Sequence, residues 1–296
     1  MIVVAFIGLG NMGGPMAANL VKAGYRVTGF DPVPAARAAA KEAGIEVAAS
    51  AAAAVVEAQV VLTMLPSGRH VLEVYQGADG LLAAAPAGTL FVDCSTIAVA
   101  DARAAAELVV AGGHRALDAP VSGGVVGAAA GTLTLMVGAH PEDLEAVREV
   151  LEPMAGRIVH CGEPGAGQAA KICNNLILGI SMIGVSEAFV LGEKLGLTHQ
   201  ALYDVTSTAS GQCWALTTNC PVPGPVPTSP ANRDYQPGFA APLMAKDLGL
   251  AIEAAEGTGT AAALGALAGG LFREFADGNG SGLDFSAIIN EIRAAS

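Results

Sequence analysis

The chain has 296 residues, enough for one large or two ordinary domains with a substantial core. Its 27 acidic against 15 basic side chains leave a formal charge of −12, which opposes binding to polyanions, and with no local cluster of Lys and Arg nucleic acid is not an expected partner. The 52% hydrophobic content owes much to alanine and describes a soluble globular chain, while five cysteines and five histidines lie scattered without metal-ligand or C-x-x-C spacing, so reduced thiols and no metal are expected.

The N-terminus enters the strand-like IVVAFIG almost at once, with no basic segment, apolar stretch and cleavage site ahead of it, which points to the cytoplasm. That strand runs directly into Gly8-Leu9-Gly10-Asn11-Met12-Gly13 and then a helix-like segment. This is G-x-G-x-x-G in its required setting: Gly8 for the tight turn, Gly10 for close approach of a pyrophosphate, Gly13 for helix–strand packing, with the phosphates at a helix N-terminus. A second strand, YRVTGF, ends in Asp31, eighteen residues after Gly13, where an acid bonds the hydroxyls of an adenosine ribose. Asp31 would repel a 2′-phosphate and Pro32, Val33 and Pro34 supply no cation, so NAD is the expected cofactor, with Arg37 as the one side chain able to fold back toward a phosphate.

The alternation continues with an alanine-rich helix at about 35–43 and strands around 60–65 (VVLTML), 89–96 (TLFVDCST) and 115–122 (RALDAPVS). Strands separated by helical segments predict a Rossmann-type, doubly wound parallel sheet whose ligands gather beyond the carboxyl ends of its strands. Three turns fall there: Leu65-Pro66-Ser67, Ser95-Thr96 and Ser122-Gly123-Gly124. In the last, two glycines after a serine let N–H groups and a hydroxyl converge on an anion such as a carboxylate; an ordinary glycine-rich turn fits the same residues. Thr96 suits a helix N-cap as well as a ligand contact. Asp93 and Asp118 precede these turns without an identifiable charged partner and receive no catalytic part.

Residues 164–186 contain one charged side chain, Lys171, with Asn174 and Asn175 three and four positions on. Helical spacing puts these three on one face, and Glu187 is too far around the helix to pair with Lys171. An ammonium on an apolar helix is costly unless it faces a polar cleft, so Lys171 is a candidate cleft lysine, against the plainer reading of a snorkelling side chain. The uninterrupted apolar run is short of the ~20 residues a bilayer requires. A boundary near residue 163, at EPGAG, divides the chain into a cofactor domain, 1–163, and an all-helical domain, 164–296, with a helix over about 167–195 and apolar periodicity at 241–276 and 283–294. Prolines between 221 and 237 exclude a continuous helix and predict a stiff extended loop, by default a surface linker. Trp214, the only tryptophan, suits the core or a pocket wall equally.

Six segments in order, GLGNMGGPMAANL at 8–20, MLP at 64–66, DCSTI at 93–97, DAPVSGGVVGAAAGTLTLMVG at 118–138, GAGQAAKICNN at 165–175 and KDLGLA at 246–251, resemble the β-hydroxyacid dehydrogenase family over essentially the whole length. The resemblance implies NAD-dependent oxidation of a small 3-hydroxy acid, with 3-hydroxyisobutyrate from valine breakdown as the expected substrate. It makes Lys171 the catalytic general acid/base and Asn175 a substrate ligand, gives the substrate carboxylate to Ser122, Gly123 and Gly124, and adds Leu65, Pro66, Thr96 and Lys246 to the cofactor contacts. Taken alone, Lys246-Asp247 reads as a solvated charged turn. His70 stands where the family often has asparagine and is left out of the cofactor site. L-serine, 3-hydroxypropionate and tartronate semialdehyde are the sister substrates, and a non-catalytic NAD-sensing protein is the alternative of another class. The long apolar helix predicts a homodimer or homotetramer.

Overall fold

In the first strand, β1 (Val3–Ile7), every second side chain enters a different core: Val4 and Phe6 join one apolar cluster, Ala5 and Ile7 another. That is the pattern of a strand covered by helices on both faces. The computed structural model describes residues 2–77 and 79–296, which fall into two compact units, Met1–Lys171 and Ile172–Ser296.

The first unit adds β2 (Arg26–Phe30), β3 (Glu46–Val47), β4 (Val60–Thr63), β5 (Leu90–Asp93), β6 (Arg115–Asp118), β7 (Val121–Ser122), β8 (Leu133–Gly138) and β9 (Ala155–Gly162). The sheet order is β3-β2-β1-β4-β5-β6-β8-β7, with β9 on β8. The six strands from β3 to β6 are parallel, in the doubly wound order predicted. Beyond them the sheet is mixed, because β8 runs antiparallel to β6 and β7 and parallel to β9. The expected single strand over 115–122 is two strands; Ala119-Pro120 lies between them, and proline has no N–H to continue a ladder. The register lines up the strand ends. Ile7 pairs with Thr63, Thr63 with Asp93, Asp93 with Asp118 and Asp118 with Gly138, one row along the carboxyl ends of the parallel strands.

A helix of 29 residues, Ala166–Lys194, starts in the first unit and continues into the second. By length and composition alone it is long and apolar enough to cross a bilayer, contrary to the expectation of too short an apolar run. Its Met182, Ile183, Phe189 and Val190 are buried in the apolar clusters of the second unit, which makes it a core helix. The second unit is otherwise helical, with Ala241–Thr258, Ala263–Asp277 and Ile288–Ala294 as its main later elements. The periodicity over 241–276 is two helices, broken where Gly259 takes φ +68°.

The proline-rich segment is not the extended surface linker expected. It folds back through a 3₁₀ turn at Pro230–Arg233, buries Val222 and Val226 beside Phe189 and Leu216, and is tied by Tyr235 Oη to Pro221 O at 2.9 Å and by Ser229 Oγ to Cys220 O at 2.5 Å. Trp214 is exposed, outside the core. The fully buried carboxylate of Asp284 gathers this region: it accepts from Asn219 Nδ2 (3.2 Å), Gly238 N (3.0 Å), Phe239 N (2.9 Å), Ser286 N (3.1 Å) and Ser286 Oγ (2.7 Å). Removing it strands several buried donors, each costing about 1–3 kcal/mol. Asp284→Ala is therefore expected to lower the urea unfolding free energy of the second unit by about 3–5 kcal/mol; a loss under about 1 kcal/mol would show that the donors find other partners.

Candidate active site

The glycine loop is built for a close neighbour. Gly8 takes φ +93°, and a Cβ there would stand 2.2 Å from Met64 O; one on Gly13 would stand 1.9 Å from Gly8 O. A Cβ on Gly10 would meet nothing within 4 Å, so the middle of the loop presents bare backbone to open space. No side chain caps the helix Gly13–Lys22 that follows, and no acid stands in its first turn, so the positive end of its dipole is not already neutralised. Asp31, at the carboxyl end of β2, is buried and accepts from Leu9 N and Val33 N, both at 2.8 Å. It thereby joins the glycine loop to the next turn. Arg37 does fold back, but onto Asp31 O (2.7 Å) and Pro32 O (2.9 Å) with its guanidinium over the Phe30 ring. The residues present fit a dinucleotide diphosphate at Gly8–Gly13 and an unphosphorylated ribose at Asp31.

The row Thr63, Asp93, Asp118 carries a buried hydrogen-bond network. Asp93 Oδ1 accepts from Thr63 Oγ1 (2.8 Å) and Ser95 Oγ (2.6 Å), and Ser95 Oγ accepts from Leu65 N (2.8 Å). The Leu65-Pro66 and Ser95-Thr96 turns are thus held by one hydroxyl. Asp118 Oδ1 accepts from Gly165 N (2.5 Å) and Oδ2 from Gln168 N (2.8 Å), so a carboxylate distant in sequence caps the start of the Lys171 helix. Gln168 Oε1 accepts from Ile97 N (3.1 Å) and its Nε2 donates to Ser95 O (2.7 Å). Burial pushes the Asp118 carboxyl up to about 6 against the pull of the two N–H bonds, with Asp93 adding to the rise. Ser122 ends β7, and Gly123 and Gly124 take φ +136° and +63°, a range that side-chain-bearing residues rarely adopt.

Lys171 is 6% exposed and Asn175, one turn on, 1%. Asn174 is exposed, and its Nδ2 donates to Asn175 Oδ1 at 2.9 Å. Asn175 Nδ2 donates to Asp247 Oδ2 at 2.5 Å, and Lys246 Nζ stands 3.4 Å from Asp247 Oδ1. The Lys246-Asp247 pair is no solvated turn: it lies within the helix Ala241–Thr258 and Asp247 is 2% exposed. His70 is exposed, with Nδ1 2.8 Å from Ser67 Oγ. Sequence reasoning missed Asp118, Gln168 and Asp247. Asp118 had no visible signal, because its partners are backbone N–H groups; Gln168 was readable as the residue one turn before Lys171, and Asp247 as the neighbour of Lys246.

Residues 3–162 match the family described as the NAD binding domain of 6-phosphogluconate dehydrogenase, and residues 165–292 that described as NAD-binding of NADP-dependent 3-hydroxyisobutyrate dehydrogenase. A probable 3-hydroxyisobutyrate dehydrogenase of Mycobacterium tuberculosis is 57% identical over 99% of both chains. The chain belongs to the 3-hydroxyisobutyrate dehydrogenase family. It is an NAD-dependent oxidoreductase. A solved structure of the M. tuberculosis 3-hydroxyisobutyrate dehydrogenase with L-serine superposes with a TM-score of 0.94 at 56% identity over 99% of both chains. An NAD-dependent L-serine dehydrogenase of Pseudomonas aeruginosa is 48% identical over 96% of both chains.

In this family member the raised Asp118 has a sign that can be measured. Its carboxyl binds a proton near pH 6 in the folded chain and near its ordinary value of 3.8 when unfolded, so its contribution to stability is full below about pH 4 and is lost as pH rises through about 6. Asp118→Asn does not titrate. Between pH 7 and pH 4.5 the wild type is expected to gain about 2 kcal/mol of unfolding free energy relative to that variant. A difference that stays constant with pH, or moves the other way, would contradict the assignment.

Proposed function

We propose that the chain oxidises the primary alcohol of 3-hydroxyisobutyrate to methylmalonate semialdehyde in valine catabolism, as a soluble cytoplasmic homodimer or homotetramer. The observation that carries this reading is a nearly fully buried lysine one helical turn from a buried asparagine, on a helix whose start is anchored at the carboxyl ends of a dinucleotide-binding sheet. NAD, when bound, accepts the hydride. Gly8, Leu9, Gly10, Asn11, Met12 and Gly13 would hold its diphosphate and Asp31 its ribose, with Leu65, Pro66, Thr96 and Lys246 as further contacts.

Lys171 Nζ, in its neutral form, takes the hydroxyl proton as the carbon–hydrogen bond breaks; in the reverse direction the ammonium returns that proton to the carbonyl oxygen. Ser122 Oγ and the N–H groups of Gly123 and Gly124 receive the substrate carboxylate. Asn175, oriented by its bond to Asp247, donates to or accepts from the substrate from the same helix face as the lysine. Exposed Ile177, Leu191, Leu264 and Leu267 on the helices of the second unit support association with a second copy. L-serine is the second substrate reading, favoured by the 48% identity to an L-serine dehydrogenase and by the solved relative that holds this amino acid.

Lys171→Ala is expected to lower kcat by roughly 10²–10⁴-fold while NADH affinity by fluorescence titration stays within a few-fold. Lys171→Arg is expected to recover little, since a guanidinium keeps its proton near neutral pH. Near-normal turnover in the alanine variant would remove the lysine from its role. Comparing kcat/KM for (S)-3-hydroxyisobutyrate, L-serine and 3-hydroxypropionate, each with NAD and NADP, tests the substrate: 3-hydroxyisobutyrate with NAD is expected to lead, and a lead for L-serine would keep the chemistry and change the pathway. Tight NAD binding without turnover on any of the three would favour an NAD sensor.

A further inference from the structure

Gln168 is fully buried, and both ends of its side-chain amide are bonded to one short turn of a different element. Its Nε2 donates to the carbonyl of Ser95 and its Oε1 accepts from the N–H of Ile97, so the amide brackets Thr96. Its own backbone N–H is taken by Asp118. The neighbouring Gly167 packs so closely that a Cβ would stand 2.2 Å from Met136 O. The first turn of the helix is therefore fixed against sliding and against rotation. Lys171 follows three residues later, a near neighbour on the helix surface.

Helix stability alone does not ask for this residue. Asp118 already caps the helix, and a buried amide is tolerable only where each of its polar atoms finds a partner. Here both partners belong to the turn that carries Thr96, and the Ser95 hydroxyl in that turn also holds Leu65 N. We propose that Gln168 is a positioning residue that locks Lys171 to the Ser95–Ile97 turn, so that the proton-transferring amine and the cofactor-binding turns keep one fixed geometry. This rests on the reading of Lys171 as the proton-transfer group and extends it. Proton transfer requires hydrogen-bond reach, and a displacement of about 1 Å costs about 10²-fold in rate.

The test uses the full-length enzyme with Gln168→Met, which fills the space and makes neither bond, and Gln168→Glu, which keeps the acceptor for Ile97 N but sets an oxygen against Ser95 O. Lys171→Ala is the reference. In each, kcat, the NADH dissociation constant, the thermal midpoint and the primary deuterium isotope effect with substrate deuterated at the alcohol carbon are measured. Both Gln168 variants are expected to lose about 10–100-fold in kcat, with NADH affinity within about threefold and a larger isotope effect on kcat as the chemical step becomes limiting. Unchanged kcat and isotope effect in either folded variant would overturn the proposal. So would a loss of activity that follows the loss of folded protein while the remaining enzyme shows the wild-type isotope effect, because that is a structural role alone. If Lys171→Ala itself stays active, the reading of the lysine fails and the proposal with it, a result distinct from a lysine-dependent enzyme indifferent to Gln168.

Discussion

A carboxylate buried at the end of β6 must be met by donors, and Asp118 is met by the N–H groups that open the Lys171 helix. That constraint sets the position of the helix start. The register of the sheet places Asp118 beside Asp93, and Asp93 bonds the serine that holds the Leu65 and Thr96 turns. The turns beyond β4, β5 and β6 and the lysine helix therefore share one buried network. The donors to Asp118 and to the Ser95 hydroxyl are backbone N–H groups, which cannot be moved by changing a rotamer. The rise of Asp118 to about 6 says which effect wins: the backbone N–H bonds from Gly165 and Gln168 do not offset desolvation, and the charge present at neutral pH is held at a cost in stability. A site that keeps such a charge trades stability for a fixed geometry.

The second unit solves the same problem with different partners. Asp284, fully buried, is surrounded by five donors and folds the proline-rich segment back upon itself. Asp247, also buried, takes the Asn175 amide and stands beside Lys246. One acid organises a loop and the other orients side chains. In both cases the folded chain needs the acceptor more than it needs apolar packing at that point, since an aliphatic side chain would leave the donors unmet.

Much of this was legible in the residues. The glycine spacing, the strand before it and Asp31 carry a definite physical meaning, because few backbones other than a dinucleotide loop need glycines at those three positions. Lys171 stood out because a lone charge on an apolar helix is costly. What could not be read was long-range and made by main-chain atoms: no local pattern links Asp118 to Gly165, or Asp284 to Gly238 and Phe239. Proline counting misled in the segment 221–237, since proline forbids a helix but does not forbid a folded turn that buries Val222 and Val226. The length of the Lys171 helix was readable, but its apolar surface was mistaken for too short a run because glycine, serine and asparagine interrupt it.

The polar machinery does not by itself separate the sister reactions. 3-Hydroxyisobutyrate and L-serine present the same carboxylate and the same primary alcohol, so Ser122, Gly123, Gly124 and Lys171 would treat them alike. They differ at the central carbon, where one carries a methyl group and the other an ammonium. A methyl group in a fitted apolar wall contributes only about 1–3 kcal/mol of discrimination. An ammonium buried without an acceptor is penalised by far more than a methyl group gains, so the decisive feature is whether an acceptor faces that carbon. Asn175 and Asp247 are already bonded to each other, and an amide or carboxylate that must leave its partner to serve a substrate contributes only the difference between the two bonds. On the proposed reading, discrimination between these two acids would turn on the second bond such groups can make, rather than on proton transfer by Lys171.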